Sequence, residues 1–145
     1  MKIALASDHA GFELKEAVKH LLNDHEVTDF GTDSSAPSDY PDAGFIAAQA
    51  VASGRCDRGI LICGSGIGMS IVANKVRGIR AALCHTPLIA GLSRKHNNAN
   101  VLVLAGRFTA SWLAGEIIKT WLNTDFEGGR HQLRIDKIKE EETGV

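Results

Sequence analysis

The stretch Gly59-Ile60-Leu61-Ile62-Cys63-Gly64-Ser65-Gly66-Ile67-Gly68 joins a short apolar run to a loop of alternating glycines. A continuous apolar run that ends at a turn signal predicts a buried strand at residues 59–63. Helical spacing of apolar residues follows from about Gly68 to Val76. A buried strand, a glycine-rich turn and a helix in this order form the repeating unit of α/β proteins.

The rest of the chain repeats this alternation. Short apolar runs predict four further strands, at residues 3–6, 27–30, 80–84 and 101–105. Helical patterns lie between or after them, at residues 12–22, 43–53, 87–95, 110–122 and about 129–142. Because the strands are apolar throughout, both faces of the sheet are expected to be covered by helices. The sequence therefore predicts an α/β domain whose parallel sheet has five strands.

Length and composition limit the classes of protein to which the chain can belong. It has 145 residues, 44% hydrophobic and 23% charged, and a formal net charge of −1. These values are typical of one globular domain, residues 1–145, and do not favour nucleic acid or an anionic membrane as a partner. No apolar run approaches the roughly 18 residues of a membrane span. Charge follows the N-terminus too closely for a signal peptide, so the expected location is the cytoplasm.

Cys63 is the candidate catalytic residue of the glycine-rich segment. Free cysteines are commonly buried core residues, which is the ordinary interpretation of Cys56 and Cys84. Cys63 differs because it ends a strand and precedes a helix N-terminus, where a thiol can act as a base or a nucleophile. The backbone N–H groups of residues 64–68 can hold an oxyanion beside it. Proton abstraction next to a carbonyl needs this combination of a base and an oxyanion site.

The glycine spacing and the other polar residues disfavour several kinds of site. The loop is not G-x-G-x-x-G and no G-K-[ST] follows, so neither a dinucleotide site nor a P-loop is expected. No histidines and carboxylates have spacing such as H-E-x-x-H, and we expect a mechanism without a metal. The three cysteines lack a C-x-x-C pair and indicate reduced thiols. Ser65 can hydrogen-bond the thiolate or a substrate oxygen, or it can cap the following helix.

Two pairs of polar residues are candidates for contacts with a substrate. Asp8 and His9 follow the first strand, where they can meet hydroxyls and phosphate. The alternative for this pair is a helix cap and a surface histidine. His96 and Asn97 lie in a polar block whose basic residues complement a helix C-terminus. The helix C-terminus accounts for the basic residues but not for His96 and Asn97, which remain available for a site. Histidine suits proton transfer near neutral pH.

Three arginines are candidates for binding phosphate. Arg130 and Arg134 are four residues apart and share one helical face. Two guanidinium groups on one face suit fork-like hydrogen bonds to phosphate, and the alternative is a solvated basic face. Arg107 follows the fifth strand and Gly106, and is the third candidate. His131 is expected to point elsewhere on the helix than Arg130.

Several motifs, each weak alone, occur together in one order and spacing. They resemble the type B ribose-5-phosphate isomerases, in the family that also holds the galactose-6-phosphate isomerase subunits. The resemblance covers nearly the whole chain. The motifs are Ser7-Asp8-His9-Ala10-Gly11, Asp39-Tyr40-Pro41, the segment from Gly59 to Gly68, Ala73-Asn74-Lys75, Gly78-Ile79-Arg80-Ala81, Ser93-Arg94-Lys95-His96-Asn97, Asn100-Val101-Leu102 and Glu127-Gly128-Gly129-Arg130-His131.

The resemblance implies a three-layer α/β/α Rossmann-like domain that needs neither a metal nor a cofactor. It implies a homodimer, or in some members a homotetramer, with active sites built from both subunits. The charged C-terminal helix at about 129–142 would then be an interface element. Many members carry Thr where this chain has Ser65, so the hydroxyl is kept while the packing of the loop can differ.

The resemblance also implies a role for each candidate residue. Cys63 would move a proton between C1 and C2 of the sugar, and His96 would open the sugar ring. The backbone of residues 64–68 would stabilise the enediolate. Asp8 would bind the sugar hydroxyls and Asn97 would contact the substrate. The phosphate-binding residues would be His9, Arg107, Arg130 and Arg134.

The expected reaction is the interconversion of ribose 5-phosphate and ribulose 5-phosphate through a cis-enediolate. One alternative is the same chemistry on a six-carbon substrate, allose 6-phosphate or galactose 6-phosphate. Another alternative is a sugar-phosphate sensor without catalysis, which would need the arginines and the loop but not Cys63 and His96 together. A redox role for Cys63 is disfavoured because no resolving cysteine lies near it in sequence.

Overall fold

The structure is a computed structural model that describes residues 1–144, so Val145, the last residue of the predicted domain, lies outside it. Over these residues the chain forms five strands and six α-helices, with a short 3₁₀ turn at His20–Leu22 after the first helix. The strands are β1 (Lys2–Ser7), β2 (Glu26–Asp29), β3 (Arg58–Cys63), β4 (Ala81–Leu83) and β5 (Val101–Ala105). The helices are α1 (Phe12–Lys19), α2 (Tyr40–Ala52), α3 (Ile67–Asn74), α4 (Pro87–Asn97), α5 (Ser111–Leu122) and α6 (Arg130–Thr143).

The strands form one parallel sheet in the order β2-β1-β3-β5-β4. Ile60, in the middle strand, pairs with Leu5 of β1 on one side and with Leu102 of β5 on the other. The strand order reverses between β1 and β3, because the chain leaves β1 first towards β2 and then returns across it to β3. In open α/β sheets, ligands bind beyond the carboxyl ends of the strands at such a reversal.

Two layers of helices cover the sheet, as the apolar strands predicted. One face packs against α1, α4 and α5, with Trp121 fully buried at its centre. The other face packs against α2 and α3, through alanines of α2 and Met69 of α3. The three-layer Rossmann-like architecture with a five-stranded parallel sheet is therefore confirmed. Cys63 lies in the core beneath α2 and α3, and Cys84 lies in the core on the opposite face.

The bounds of some elements differ from the predicted ones. Helix α2 begins at Tyr40, three residues before the predicted start, because Pro41 fits the first helical turn, where no backbone N–H is needed. Strand β4 is limited to three residues, Ala81–Leu83. Helix α6 packs against α4. Among residues 1–144 no helix is both long enough and apolar enough to cross a membrane.

Candidate active site

A cavity of about 200 Å³ lies at the carboxyl edge of the sheet, beside the reversal of strand order. It receives residues from the ends of β1, β3 and β5 and from the start of α2. Most of the candidates from the first half of the chain meet here, together with Arg107. The residues that line the cavity are Asp8, His9, Ala10, Tyr40, Cys63, Gly64, Ser65, Gly68 and Arg107.

Glycines allow the backbone segments around this cavity to pack closely. The N–H of Gly106 donates to the carbonyl of Cys63 at 2.8 Å. The N–H of Arg107 donates to the carbonyl of Gly64 at 3.0 Å. A Cβ atom at Gly106 would lie 2.9 Å from the carbonyl oxygen of Ala10, too close for any other residue. The end of β5 is thereby held against the end of β3. This contact fixes Arg107 at the cavity beside Cys63.

Cys63 belongs both to the core and to the cavity. It is the last residue of β3 and is 4% exposed, while its neighbours Gly64 and Ser65 open into the cavity. Cys56 and Cys84 are also buried but do not line it. Burial raises the pKa of Cys56 and raises that of Cys84 to about 11, which disfavours their reactive thiolate forms. Of the three thiols, that of Cys63 is therefore the one that lines the cavity.

The loop after Cys63 takes a conformation that only glycine allows at its centre. Gly66 has φ of +78°, and a side chain at this position would collide with Leu83. The Oγ of Ser65 accepts a hydrogen bond from the N–H of Ile67 at 3.3 Å, so this serine does support the start of α3. Because Oγ acts there as an acceptor, its hydroxyl hydrogen can still be donated to a ligand.

The structure does not bring every loop residue to the cavity. Gly64, Ser65 and Gly68 line it, whereas Gly66 and Ile67 do not. The side chain of Ile67 points outward and the residue is 57% exposed. Gly66 thus shapes the loop rather than lining the cavity.

Asp8 and His9 are oriented by hydrogen bonds to neighbouring backbone. Asp8 is buried, and its Oδ1 accepts a hydrogen bond from the N–H of Gly11 at 3.0 Å. The Nδ1 atom of His9 lies 3.2 Å from the backbone nitrogen of Ser38 and 3.1 Å from its carbonyl oxygen. A neutral ring with its hydrogen on Nε2 accepts from that N–H, and a charged ring donates to that oxygen. In either of these two forms Nε2 carries a hydrogen that His9 can donate to an anion.

Tyr40 is a cavity residue to which the sequence assigned no role. It begins α2, and its ring packs against Gly68, where a Cβ would lie 2.7 Å from the ring carbon Cζ. Its motif, Asp39-Tyr40-Pro41, was visible in the sequence and gave the only signal. Tyr40 and Cys63 are 23 positions apart in the chain, so no local sequence pattern indicated that they lie close together.

His96 and Asn97 lie at the opposite edge of the sheet from Cys63. They end α4, which runs from the carboxyl end of β4 back to the amino end of β5. The carbonyl of Asn100, three residues further on, accepts the N–H of Gly59 near the start of β3. Cys63 ends that same strand, and at roughly 3.3 Å per residue the two edges are about 13 Å apart or more. One chain therefore does not bring His96 and Asn97 to its own Cys63.

Helix α6 carries its arginines at this second edge. The N–H of Glu127 donates to the carbonyl of Lys95, which ties the start of the α6 segment to the end of α4. Arg130 and Arg134 are both exposed on one face of α6, as their spacing predicted. His131 points elsewhere, as expected, and is buried against α4. The predicted site residues thus form two groups, one at each edge of the sheet.

Two histidine rings are in contact in the second group. The rings of His96 and His131 are stacked, with their centroids 4.4 Å apart and their planes 14° apart. Oε2 of Glu127 lies 3.9 Å from Nε2 of His131. Burial, followed by the nearby His96 and Arg130, lowers the pKa of His131. Within residues 1–144, His96, Glu127 and His131 are the one group of three whose potential metal-binding atoms all lie within 4.8 Å of one another. Because the two imidazole rings are nearly parallel, their nitrogen lone pairs cannot both point at one metal ion.

Comparison with known proteins agrees with the fold. The Ribose/Galactose Isomerase family model matches residues 3–138. The chain is 51% identical over 139 residues to ribose-5-phosphate isomerase B of Escherichia coli (strain K12), covering 94% of this chain and 93% of that protein. The ribose-5-phosphate isomerase B structure from Clostridium thermocellum has a TM-score of 0.97, with 51% identity and 99% of each chain covered.

A second solved structure carries a ligand. Ribose-5-phosphate isomerase B from Mycoplasma genitalium, with bound ribulose 5-phosphate, has a TM-score of 0.94 and 44% identity, and covers 99% of this chain and 97% of that one. The family match spans nearly the whole chain. The matched residues include β3, the glycine-rich loop after it and both groups of predicted site residues. The chain therefore belongs to the ribose/galactose isomerase family.

Proposed function

We propose that this protein is an aldose–ketose isomerase that interconverts D-ribose 5-phosphate and D-ribulose 5-phosphate. The observation that carries the proposal is the cavity in which Cys63 lies beside the glycine-rich loop, Asp8, His9 and Arg107. The cavity contains a base, backbone N–H groups and cationic side chains. These groups are the ones required to remove a proton next to the carbonyl of a phosphorylated sugar. Relatives that carry the name of this activity, one of them with bound ribulose 5-phosphate, support it.

In the proposed mechanism, the thiolate of Cys63 removes the proton from C2 of the open-chain aldose. The electron pair of that C–H bond forms the C1–C2 double bond, and the carbonyl oxygen O1 takes the negative charge. The N–H groups of Gly64 and Ser65 stabilise that charge. Cys63 then returns the proton to C1, the C2 hydroxyl proton passes to O1, and C2 becomes the ketone. The reaction needs no metal and no cofactor.

The other cavity residues bind and orient the sugar in this proposal. The carboxylate of Asp8 uses one oxygen to hold the N–H of Gly11 and offers the other to sugar hydroxyls. His9 donates from Nε2 and Arg107 from its guanidinium group, both to phosphate. Tyr40, whose ring packs on Gly68, closes one side of the cavity and can hydrogen-bond the sugar through its hydroxyl.

A closed sugar ring must open before Cys63 can act, and we assign this step to His96. Its imidazolium gives a proton to the ring oxygen O4 as the C1–O4 bond breaks. The electron pair of that bond goes to O4, the hydroxyl proton on C1 leaves to water, and C1 becomes the aldehyde carbon. Asn97 would contact the opened sugar.

We further propose that His96, Asn97, Arg130 and Arg134 act on the cavity of a second copy of the chain. Their position at the edge opposite Cys63 supports this, because none of them lines the cavity of their own chain. Exposed apolar side chains near the cavity also support a partner surface. Ile67 and Ile71, on one face of α3, are 57% and 55% exposed, and Leu88 at the start of α4 is 70% exposed. A homodimer, or a homotetramer built from such dimers, would complete each site.

The purified protein tests this function when it is assayed with four-, five- and six-carbon aldose phosphates. We expect ribose 5-phosphate to have the highest kcat/KM and Cys63→Ala to lose at least about a thousandfold in turnover. Full turnover by Cys63→Ala would refute the assignment of the base. A higher kcat/KM with allose 6-phosphate or galactose 6-phosphate would instead favour the six-carbon alternative. Tight binding without hydrogen exchange between sugar and solvent would indicate a sensor.

The proposed location is the cytoplasm. A catalytic thiol must stay reduced, and the cytoplasm keeps thiols in that state. All three cysteines, Cys56, Cys63 and Cys84, are unpaired in the part of the chain that the structure describes.

A further inference from the structure

His131 has a specific relationship to His96 that the proposed mechanism does not use. Its ring stacks on that of His96 with a centroid distance of 4.4 Å, and the residue is only 6% exposed. His96 itself is half-buried at the end of α4. The stacking contact restricts the rotation of the His96 ring about its side-chain bonds.

The backbone before α6 is built to make this contact. Gly128 and Gly129 have φ of +70° and +57°, a region in which other residues are strained. The N–H of His131 donates to the carbonyl of Gly128, and the N–H of Glu127 donates to the carbonyl of Lys95. The turn is therefore anchored at the residue before His96, and it delivers the His131 ring directly onto the His96 ring.

The charges around the pair differ for the two rings. Arg130 and Arg134 precede and follow His131 on α6, and Glu127 lies 3.9 Å from its Nε2. Burial, His96 and Arg130 lower the pKa of His131, and the carboxylate of Glu127 only partly opposes them. Two stacked imidazoles do not readily both carry a charge. His96 is the less buried of the two rings.

We propose that His131 is a positioning residue whose stacked ring holds the imidazole of His96 in the orientation needed to open the sugar ring. This inference rests on the proposed function, in which His96 supplies the proton. His131 itself need not touch the substrate. Its contribution is to restrict the rotation of His96, because proton transfer requires hydrogen-bond distance and alignment.

The chemistry of the two substrates separates this role from a merely structural one. Ribose 5-phosphate is mostly a closed ring and must be opened. Ribulose 5-phosphate has its ketone at C2 and its C5 oxygen occupied by phosphate, so it cannot close into a furanose. Exchange of its C1 hydrogen with deuterated solvent therefore requires Cys63 and the enediolate, but not ring opening. Turnover of ribose 5-phosphate requires both steps.

The experiment compares His131→Ala, His131→Gln and His131→Phe with the wild type, in both assays. Gln132→Ala is the matched control, because Gln132 is the exposed neighbour whose side chain bonds only to Asp136. We expect His131→Ala and His131→Gln to turn over ribose 5-phosphate about tenfold more slowly, with the deuterium exchange of ribulose 5-phosphate within about twofold of wild type. His131→Phe, which keeps a flat ring on His96, should restore most of the turnover.

Two results would overturn the proposal. Loss of exchange in parallel with turnover in His131→Ala and His131→Gln would mean that His131 only maintains the structure or the phosphate-binding arginines. Failure of a folded His131→Phe to recover any turnover would mean that stacking is not the contribution. If His131→Phe does not fold, the ratio of turnover to exchange in the other two variants still decides. A wild type that shows neither activity would refute the proposed function itself, which is a separate outcome.

Discussion

His96 and Cys63 lie at opposite edges of the same parallel sheet. Cys63 ends β3, while His96 ends α4 close to Asn100, which bonds to Gly59 near the start of β3. In the proposed mechanism both residues act on one sugar, which at this separation is possible only if two copies of the chain associate. The proposed role of His96 as the ring-opening acid therefore requires an oligomer.

Mixing two inactive variants tests this statement. Cys63→Ala and His96→Ala chains are each expected to be nearly inactive with ribose 5-phosphate. When the two are unfolded together and refolded at equal concentration, mixed dimers should form with one intact site and one doubly defective site. Turnover should then recover to about a quarter of wild type, since about half of the dimers are mixed and one site in each is intact. Refolding each variant alone is the control, and no recovery in the mixture would show that each site lies within one chain.

The three cysteines are expected to react at very different rates. Cys63 lines the cavity, whereas burial raises the pKa of Cys56 and raises that of Cys84 to about 11. Because the thiolate is the nucleophile, iodoacetamide at neutral pH should modify Cys63 first in the folded protein. Mass spectrometry of peptides would identify the site, and ribulose 5-phosphate should slow the reaction. Faster labelling of Cys84 or Cys56 in the folded protein would contradict this assignment.

Tyr40 and Gly68 are expected to depend on each other. A Cβ at Gly68 would lie 2.7 Å from the Tyr40 ring, so Gly68→Ala must displace that ring from the cavity. We expect Gly68→Ala to lower kcat/KM by about tenfold or more, and Tyr40→Phe, which keeps the ring, to have a smaller effect, mainly on KM. Steady-state kinetics of both variants would check this. Wild-type kinetics in Gly68→Ala would show that the position of the ring is unimportant. Gly115→Ala, in helix α5 away from the cavity, is a control for adding a methyl group to a helix.

The ion pair between Lys15 and Asp29 is expected to contribute to stability in a pH-dependent way. Lys15 is fully buried, and its Nζ lies 2.8 Å from both carboxylate oxygens of Asp29. Burial alone would raise the pKa of Asp29, but hydrogen bonds from Lys15, Lys19 and the N–H of Gly31 outweigh it and hold this pKa below its usual value. A carboxyl group with a lowered pKa stabilises the folded state above the ordinary carboxyl range, and this contribution is lost as the pH falls through the lowered pKa.

Asp29→Asn should therefore destabilise the protein by about 3 kcal/mol at pH 7, because a buried ammonium group loses its partner. The difference from wild type should begin to shrink below about pH 4, the ordinary carboxyl pKa, and should be lost once the pH has fallen through the lowered pKa of Asp29 in the folded wild type. Urea unfolding at several pH values would measure both effects. Glu16→Gln is the control, since Glu16 is 42% exposed and should change stability by less than about 1 kcal/mol. A difference that is independent of pH would exclude the ion pair as its cause.

The elements of the fold followed closely from local patterns in the sequence. The apolar runs located β1, β3, β4 and β5 to within one residue at each end, because a strand covered on both faces needs an uninterrupted apolar stretch. The edge strand β2 was also located to within one residue, although it contains polar residues and is partly exposed. The start of α2 was missed because Pro41 indicated a loop, although proline fits the first helical turn equally well. The involvement of Tyr40 was missed for a different reason. Its contact with Gly68 joins segments that are far apart in the chain, and no local pattern records such a contact.

The sequence by itself determined the layered fold, the family and the chemical groups at hand: a thiol at a strand end, a glycine-rich loop, and His96 and the arginines. Those depend on residue type and on spacing along the chain. Only the tertiary structure decided which of these groups meet. It gathered Asp8, His9, Cys63 and Arg107 at one edge, because the carboxyl ends of parallel strands lie side by side. It carried His96 to the other edge, because each helix that joins parallel strands must return to where the next strand begins.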